Sequence, residues 1–488
     1  MRNIISFARR LWALPDWLKL ILLALLTRLP NLGYEKLWFD ESFTAWQTRP
    51  GTDFWGAVLG DVHPPLWPLI EAINQRLLGF SEFTFRLPAL LFGVGAVLLI
   101  WQIARALKFP PRTALTAGAL ASILPAGVYF AQDARMYALL MFCVLLALLG
   151  AVRRNWLFFV VGGIGAAYTH NSGVLYFAAI GLSVILPGLR GSKRAFVIPL
   201  LASAGVAAAW LPWAGFALPQ QLAMVKSDYW VPALSPAGIL MPYLETTIGW
   251  RIAHGLQIPA FFAVIASTLV SLIAARRWLY RDGLPVLAVI FGGPLLLAGL
   301  SIFWKSVYVF RPVIVGSMTL SLIWAYMLNH LSAPNRRIAQ AVLLPALVAG
   351  LLCGYTLTLR EDLAAWVAPI RAQYQPGDVI YHTDSTTWIN YGWYLQDLPQ
   401  AVLPAPGTLI TVSGGAKAAM HMQSIPISQL DPRVYHRFWL IYAPNPYTKQ
   451  SEVDEIARIK ASYPMQLIRA KTGDTRYFGD YIYLGKFR

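Results

Sequence analysis

Eleven stretches of this chain are apolar over a length that crosses a bilayer or comes close to it, and no other feature narrows the fold as much. A hydrocarbon core about 30 Å thick needs roughly 20 helical residues to span it. Inside it, only helices or closed barrels satisfy every backbone N–H and C=O. The first run follows the basic MRNIISFARRLWALPDWLKL and ends near residue 33. The others fall near 86–104, 113–131, 136–152, 156–170, 173–187, 195–211, 258–275, 284–302, 310–328 and 338–357. No small-residue cleavage site follows the first run, so it reads as an uncleaved span rather than a signal peptide. Composition agrees: 57% of the 488 residues are hydrophobic and 13% charged, where a soluble domain carries about a quarter charged residues. The 19 Trp and 22 Tyr suit a protein with many membrane interfaces.

Loop charges orient the layout. Alternate connections hold Arg2, Arg9 and Arg10; Arg105, Lys108 and Arg112; Arg153 and Arg154; Arg190, Lys193 and Arg194; Arg276, Arg277 and Arg281; and Arg336 and Arg337, sixteen cations on one side. The opposite short connections 132–135, 169–172 and 303–309 hold only Arg135 and Lys305. The positive-inside rule then places the N-terminus in the cytoplasm and, after eleven spans, the C-terminus outside. The net charge of +17 has the same origin: residues 358–488 contribute only +2, leaving +15 for the membrane part. This is topology charge rather than a nucleic-acid surface. Cys143 and Cys353 both sit in apolar runs and read as small buried hydrophobes.

Two longer stretches, 34–85 and 212–257, fall on the outer side, and their Pro, Trp and amphipathic pieces predict helices lying in the interface. From about 358 the composition changes. DVIYHTD, TLITVSG, RFWLIYAP and YIYLGKF read as strands, and SEVDEIARIKAS as an amphipathic helix. The expectation is a membrane domain over 1–357 and a small extracytoplasmic α/β domain over 358–488.

Ionisable groups near membrane depth are costly and tend to be functional. The candidates are Asp40 and Glu41 in WFDESFTAW, Asp61 and His63 in GDVHPPLWP, Asp133, Arg135 and Tyr137 in AQDARMYAL, His170 in YTHNSGVLY, and Lys305 and Arg311 in WKSVYVFRPV. Far apart in sequence, all fall at the outer ends of helices, which predicts one outward-facing site. Each has a plainer reading: solvated carboxylates at 40–41, a rigid Pro-Pro turn after His63, a local Asp133–Arg135 pair capping a helix, and snorkelling for Lys305 and Arg311. Carboxylates can take a proton from an acceptor hydroxyl or amine, interfacial Arg and Lys can hold a lipid-linked phosphate, and an apolar groove can hold its tail. No Walker A motif, dinucleotide fingerprint or HExxH is present.

The ordered set LWFDESFTAW, GDVHPPLWPLI, GFSEFTFRLPALLFG and AQDARMYAL resembles the bacterial members of the protein O-mannosyltransferase-like group, glycosyltransferase family 39, with the GT-C membrane fold. The lipid A aminoarabinose transferase is a relative. The resemblance is strongest over 30–180 and extends to 357. It implies a polytopic α-helical enzyme that moves a sugar from a polyprenyl-phosphate donor to a lipid, glycan or protein acceptor on the extracytoplasmic face. It maps the acceptor-activating carboxylate onto Asp40 with Glu41 beside it, and substrate contacts onto His63, Arg135, Tyr137 and Arg311. The β-trefoil insertion of eukaryotic members is missing from this pattern. A divalent cation between carboxylates and phosphate is left open, with Asp40, Asp133 and His63 as candidate ligands. A transporter or flippase of lipid-linked sugar is the competing reading; one-sided charges and no internal repeat count against it.

Overall fold

The computed structural model describes residues 13–228, 231–249, 252–357, 360–404, 412–444, 448, 450–471 and 480–487. Eleven apolar helical segments correspond to the expected runs. They are α1 (Asp16–Arg28), α5 (Glu82–Ala106), the bent pair α6 (Pro111–Ile123) and α7 (Pro125–Ala131), α8 (Tyr137–Arg153), α9 (Trp156–Thr169) and α10 (Asn171–Gly188), followed by α11 (Lys193–Asp228), α13 (His254–Arg281), α14 (Leu284–Phe303), α15 (Ile314–His330) and α16 (Ala333–Thr356). Seven of these are long and apolar enough to cross alone, and the α6–α7 pair does so if taken as one broken span. The shorter α8 and α9 sit inside the bundle, where Gly150 and Gly162 allow backbone-to-backbone contact: a Cβ on Gly162 would lie 2.4 Å from the Ala147 nitrogen. Helices α11 and α13 instead present Leu201, Leu211, Phe216, Phe262 and Ile273 outward, a surface made for lipid.

Polar groups inside the bundle are matched to breaks in its helices. Pro125 bends the α6–α7 pair by 62° and, lacking an N–H, leaves the Ala121 carbonyl without its helical donor. The buried Arg28 fills the gap, donating to the Ala121 and Ser122 carbonyls at 3.3 and 2.9 Å.

The stretch 34–85 holds three short helices, α2 (Phe39–Thr48), α3 (Phe54–Leu59) and α4 (Leu66–Leu78). The second outer stretch departs from expectation. The span placed at 195–211 continues as helix through Pro212 and Pro219 to Asp228, and only α12 (Pro236–Ile248) remains separate. Proline interrupts a membrane helix less than its propensity implies, because packing partners satisfy the freed groups.

The C-terminal part carries a five-stranded mixed sheet in the order β2-β1-β3-β5-β4, from β1 (Asp378–His382), β2 (Gln400–Val402), β3 (Arg437–Tyr442), β4 (Met465–Lys471) and β5 (Asp480–Lys486). β1 is parallel to β2 and β3, and β5 is antiparallel to β3 and β4. Every residue of β1 is buried, as a central parallel strand requires. Helices α17 (Leu363–Gln373) and α20 (Gln450–Ser462) pack against the sheet, α18 (Ser385–Trp393) joins it to the membrane part, and α19 (Gly414–Ala419) packs on α3. Three of the four expected strands correspond to β1, β3 and β5, and SEVDEIARIKAS is α20. The strand expected at TLITVSG lies mostly outside the described residues, and its described end leads into α19.

Candidate active site

Helix α2 is the centre of the site. It starts at Trp38, so Asp40 and Glu41 occupy its first turn, where the helix N-terminus favours negative charge. Successive helical residues diverge by about 100°, so the two carboxylates leave the helix in different directions.

Glu41 points inward and is fully buried. Arg86 grips it bidentately, Nε to Oε1 and Nη2 to Oε2, both at 2.8 Å. Arg360 donates to Oε2 at 2.7 Å, and the Ala134 backbone N–H to Oε1 at 2.8 Å. Arg360 also reaches Asp133 at 3.0 Å and Glu35 at 3.3 Å. Burial pushes the Glu41 carboxyl up, but the Arg360 and Arg86 guanidiniums outweigh it and hold the group well below the ordinary range. Burial and the neighbouring Glu41 charge push Asp133 the other way, against Arg360. The geometry agrees: Asp133 Oδ1 accepts from Trp38 Nε1 at 2.7 Å and from Arg360, whereas the buried Oδ2 has no hydrogen-bond partner among the described residues.

Asp40 points to a more open space. It pairs with Arg311 Nη1, and their side chains remain 17% and 21% exposed. The Arg311 guanidinium lies 4.7 Å over the Trp38 ring and hydrogen-bonds Tyr137. Tyr137 in turn packs 6.0 Å from the His170 ring, and His170 lies 5.4 Å from the His63 ring. His63 Nδ1 is 3.0 Å from Asp61 Oδ1. Burial, with His63 and Arg135 close by, drives His170 towards its neutral form. Arg135 threads beneath, donating to the Asp40 carbonyl at 3.0 Å and Thr44 Oγ1 at 2.8 Å, which leaves its buried Nε unused.

Nine of the ten candidate residues therefore gather around α2. Lys305 does not: it sits half-buried in the loop after α14, with no bond to this cluster among the described residues. The local Asp133–Arg135 pair also fails to form, because Asp133 turns to Arg360 and Arg135 to helix α2. Asp40, Asp133 and His63 do not fit a metal site. Each already faces its own partner, Arg311, Arg360 and Asp61 respectively, and no group of three or more His, Cys, Asp or Glu is placed to share a cation among the described residues.

Four contributors escaped the sequence reading. Arg86 is an arginine at the start of the apolar α5, and the cost of intramembrane charge could have exposed it. Trp38 precedes Asp40 in the WFDESFTAW motif but was not singled out, although its indole N–H holds Asp133. Gln221 donates to the Asp61 and His63 carbonyls, each at 3.3 Å, from the part of α11 that was expected to lie beyond the span, among interfacial helices. Arg360 lies just beyond the last span with nothing local to mark it.

Residues 62–216 match the family described as dolichyl-phosphate-mannose-protein mannosyltransferase. No curated protein sequence matches the chain. Among solved structures, ArnT from Cupriavidus metallidurans in the apo state superposes with a TM-score of 0.62 at 13% identity, over 99% of this chain and 98% of that one. The same protein bound to undecaprenyl phosphate gives 0.61 at 14% identity, over 96% and 97%. The oligosaccharyltransferase of Archaeoglobus fulgidus gives 0.53 at 12% identity, over 88% of this chain and 69% of its own. The span pattern, the C-terminal sheet and these superpositions agree: this is a multi-pass membrane protein with the GT-C glycosyltransferase fold.

Proposed function

We propose that the chain transfers a sugar from a polyprenyl-phosphate-linked donor to an acceptor on the extracytoplasmic face of a bacterial inner membrane. The observation that carries this reading is the Asp40–Arg311 pair, the partly open carboxylate–guanidinium contact of the cluster, set in a GT-C fold. Arg311, Tyr137 and Arg135 offer donors to a phosphate, and His63, His170 and Asp61 line the neighbouring side. Lys305, near the same end of the bundle, is assigned an outlying contact to the lipid-linked substrate.

In this reading Arg311 holds Asp40 until the donor arrives. The donor phosphate competes for the guanidinium and frees the carboxylate. Asp40 then takes the proton of the acceptor hydroxyl or amine as the acceptor attacks the anomeric carbon. The bond from that carbon to the phosphate oxygen breaks, and polyprenyl phosphate leaves with its charge spread towards Arg311 and Arg135. A phosphate is a good leaving group, so no strong general acid is required. Glu41, buried and fully paired, supports helix α2 rather than touching substrate.

The test is a transfer assay with purified protein in liposomes, using a panel of polyprenyl-phosphate sugars with membrane extract as acceptor, and comparing wild type with Asp40→Asn. Donor consumption by wild type alone supports the reading. Movement of lipid-linked sugar across the bilayer without consumption replaces it with a flippase.

A further inference from the structure

Helix α2, which carries Asp40, is held from one side by the membrane bundle and from the other by the C-terminal domain. Three separate contacts make the second hold. Arg360 enters the acidic cluster at the helix start, reaching Glu41, Asp133 and Glu35 while remaining buried itself. Just before the helix, the Leu37 N–H donates to the Tyr394 hydroxyl at 2.8 Å. Near its end, Trp46 stacks on Trp388 at a ring distance of 4.0 Å, meets Trp393 edge-on at 5.4 Å and donates its indole N–H to the Ile389 carbonyl at 3.1 Å. Trp46 is 1% exposed, so this contact is desolvated.

These anchors all belong to the C-terminal part of the chain. Two residues after Arg360, Asp362 caps α17, whose Leu363, Trp366, Val367 and Ile370 pack into the same core as Ile380, Tyr391 and Trp439. Trp388, Trp393 and Tyr394 lie on and just after α18, the helix that follows β1. A fourth contact fixes the neighbouring loop. Ser413 Oγ donates to the Gly60 carbonyl at 2.7 Å, and a Cβ on Gly60 would fall 2.6 Å from the Ala416 nitrogen. The sheet domain thus grips both ends of α2 and the loop leading to His63.

We propose that the C-terminal domain is the positioning element of the active site, and that Arg360 is the positioning residue through which it sets helix α2 and therefore the aim of the Asp40 carboxylate. Arg360 does not touch substrate. Its single charge is shared by three carboxylates, Glu35, Glu41 and Asp133. Without it, Glu41 keeps Arg86, but Asp133 and Glu41 face one another across a dry space with one cation fewer. Separation of the two carboxylates is then favoured, and the start of α2 moves. The effect on transfer rests on the glycosyltransferase reading above, whereas the effect on the helix does not.

The test uses the full chain with Arg360→Gln. Amide exchange over Phe39–Thr48 is expected to rise, while Val379–His382 and Phe438–Tyr442 keep their protection. The kcat for donor consumption is expected to fall by roughly 10–100-fold, because small misplacements of a reacting group cost that much. The donor KM should stay within about threefold, since uniform binding is not what was removed. Arg360→Lys, which keeps the charge without the fork, should recover part of the loss. Unchanged exchange over α2 overturns the proposal, and so does a loss of protection spread equally through the sheet. If Arg360→Gln does not fold, Tyr394→Phe decides, since it removes only the hydroxyl that Leu37 uses. Wild-type exchange at residues 37–41 in that variant overturns the proposal. A wild-type protein that consumes no donor ends the glycosyltransferase reading, and the exchange result still decides the positioning role.

Discussion

The two sides of helix α2 carry adjacent carboxylates in opposite circumstances. On the inner side Glu41 has two guanidiniums and a backbone N–H around a fully buried carboxylate. On the outer side Asp40 has one guanidinium, Arg311, and keeps access to solvent. The inner charge is fully paired and fixed, as a buried charge must be. The outer charge has a single partner, which in the proposed function the donor phosphate replaces. Adjacent acidic residues thus stand in different settings: one is locked into the fold, and the other is the one to which the proposed function assigns the reaction.

The contrast can be broken most directly at Asp40. Asp40→Asn is expected to lower donor consumption by about 10²–10⁴-fold, the usual value of a positioned general base, while thermal unfolding in detergent moves less than for Glu41, because the amide matches the carboxylate in size and Arg311 keeps Tyr137 and the Trp38 ring. Retained turnover would remove Asp40 from its role. Glu41→Gln should do the reverse, costing about 3–5 kcal/mol of stability by stranding buried guanidinium charge. It should appear as a lowered Tm or loss of folded protein, and an unshifted Tm would mean that the inner side is not structural.

A smaller effect concerns pH. Asp133 is raised in the folded protein from 3.8 to about 6, so the native state binds its proton more readily than the unfolded chain does. Its contribution is thus present at low pH and is lost as pH rises towards 6. Glu41 has the opposite sign, being depressed to about 2, and weakens the fold only below the ordinary carboxylate range. Comparing wild type with Asp133→Asn by thermal unfolding between pH 4 and 6 should show a stability slope in wild type that the variant lacks. Equal slopes would contradict the assignment. Smallest of all is Lys305→Ala, expected to change donor KM by no more than about threefold, because Lys305 stands apart from the cluster. A large effect would extend the site across the loop after α14.

Much of this was readable from composition and spacing. Apolar runs separated by basic loops required a helical membrane protein whatever its packing, because lipid cannot satisfy backbone polar groups. Asp40, Glu41, His63, Asp133, Arg135, His170 and Arg311 were identifiable because charge at membrane depth is costly enough to stand out against an apolar background. The fully buried β1 and the amphipathic α20 carried their own local signals. The three-residue β2 and the irregular β4 did not: one is too short for a period, and the other is interrupted by a bulge between Leu467 and Arg469.

Pairing was decided elsewhere. Little local separates Asp40 from Glu41, since both lie between Phe39 and Phe43 and both occupy the first turn of the same helix. Their difference arises from Arg86 and Arg360, which lie 45 and 319 positions from Glu41 in the chain. Arg135 turns from its neighbour Asp133 to the α2 backbone and Thr44, while the Arg360 guanidinium and the Trp38 indole share Asp133 Oδ1. Residue type and burial cost, which act locally, mark where charges must be accounted for. Only the tertiary fold brings distant partners within reach, and in a low-dielectric site the identity of the partner decides whether a carboxylate is structural or reactive.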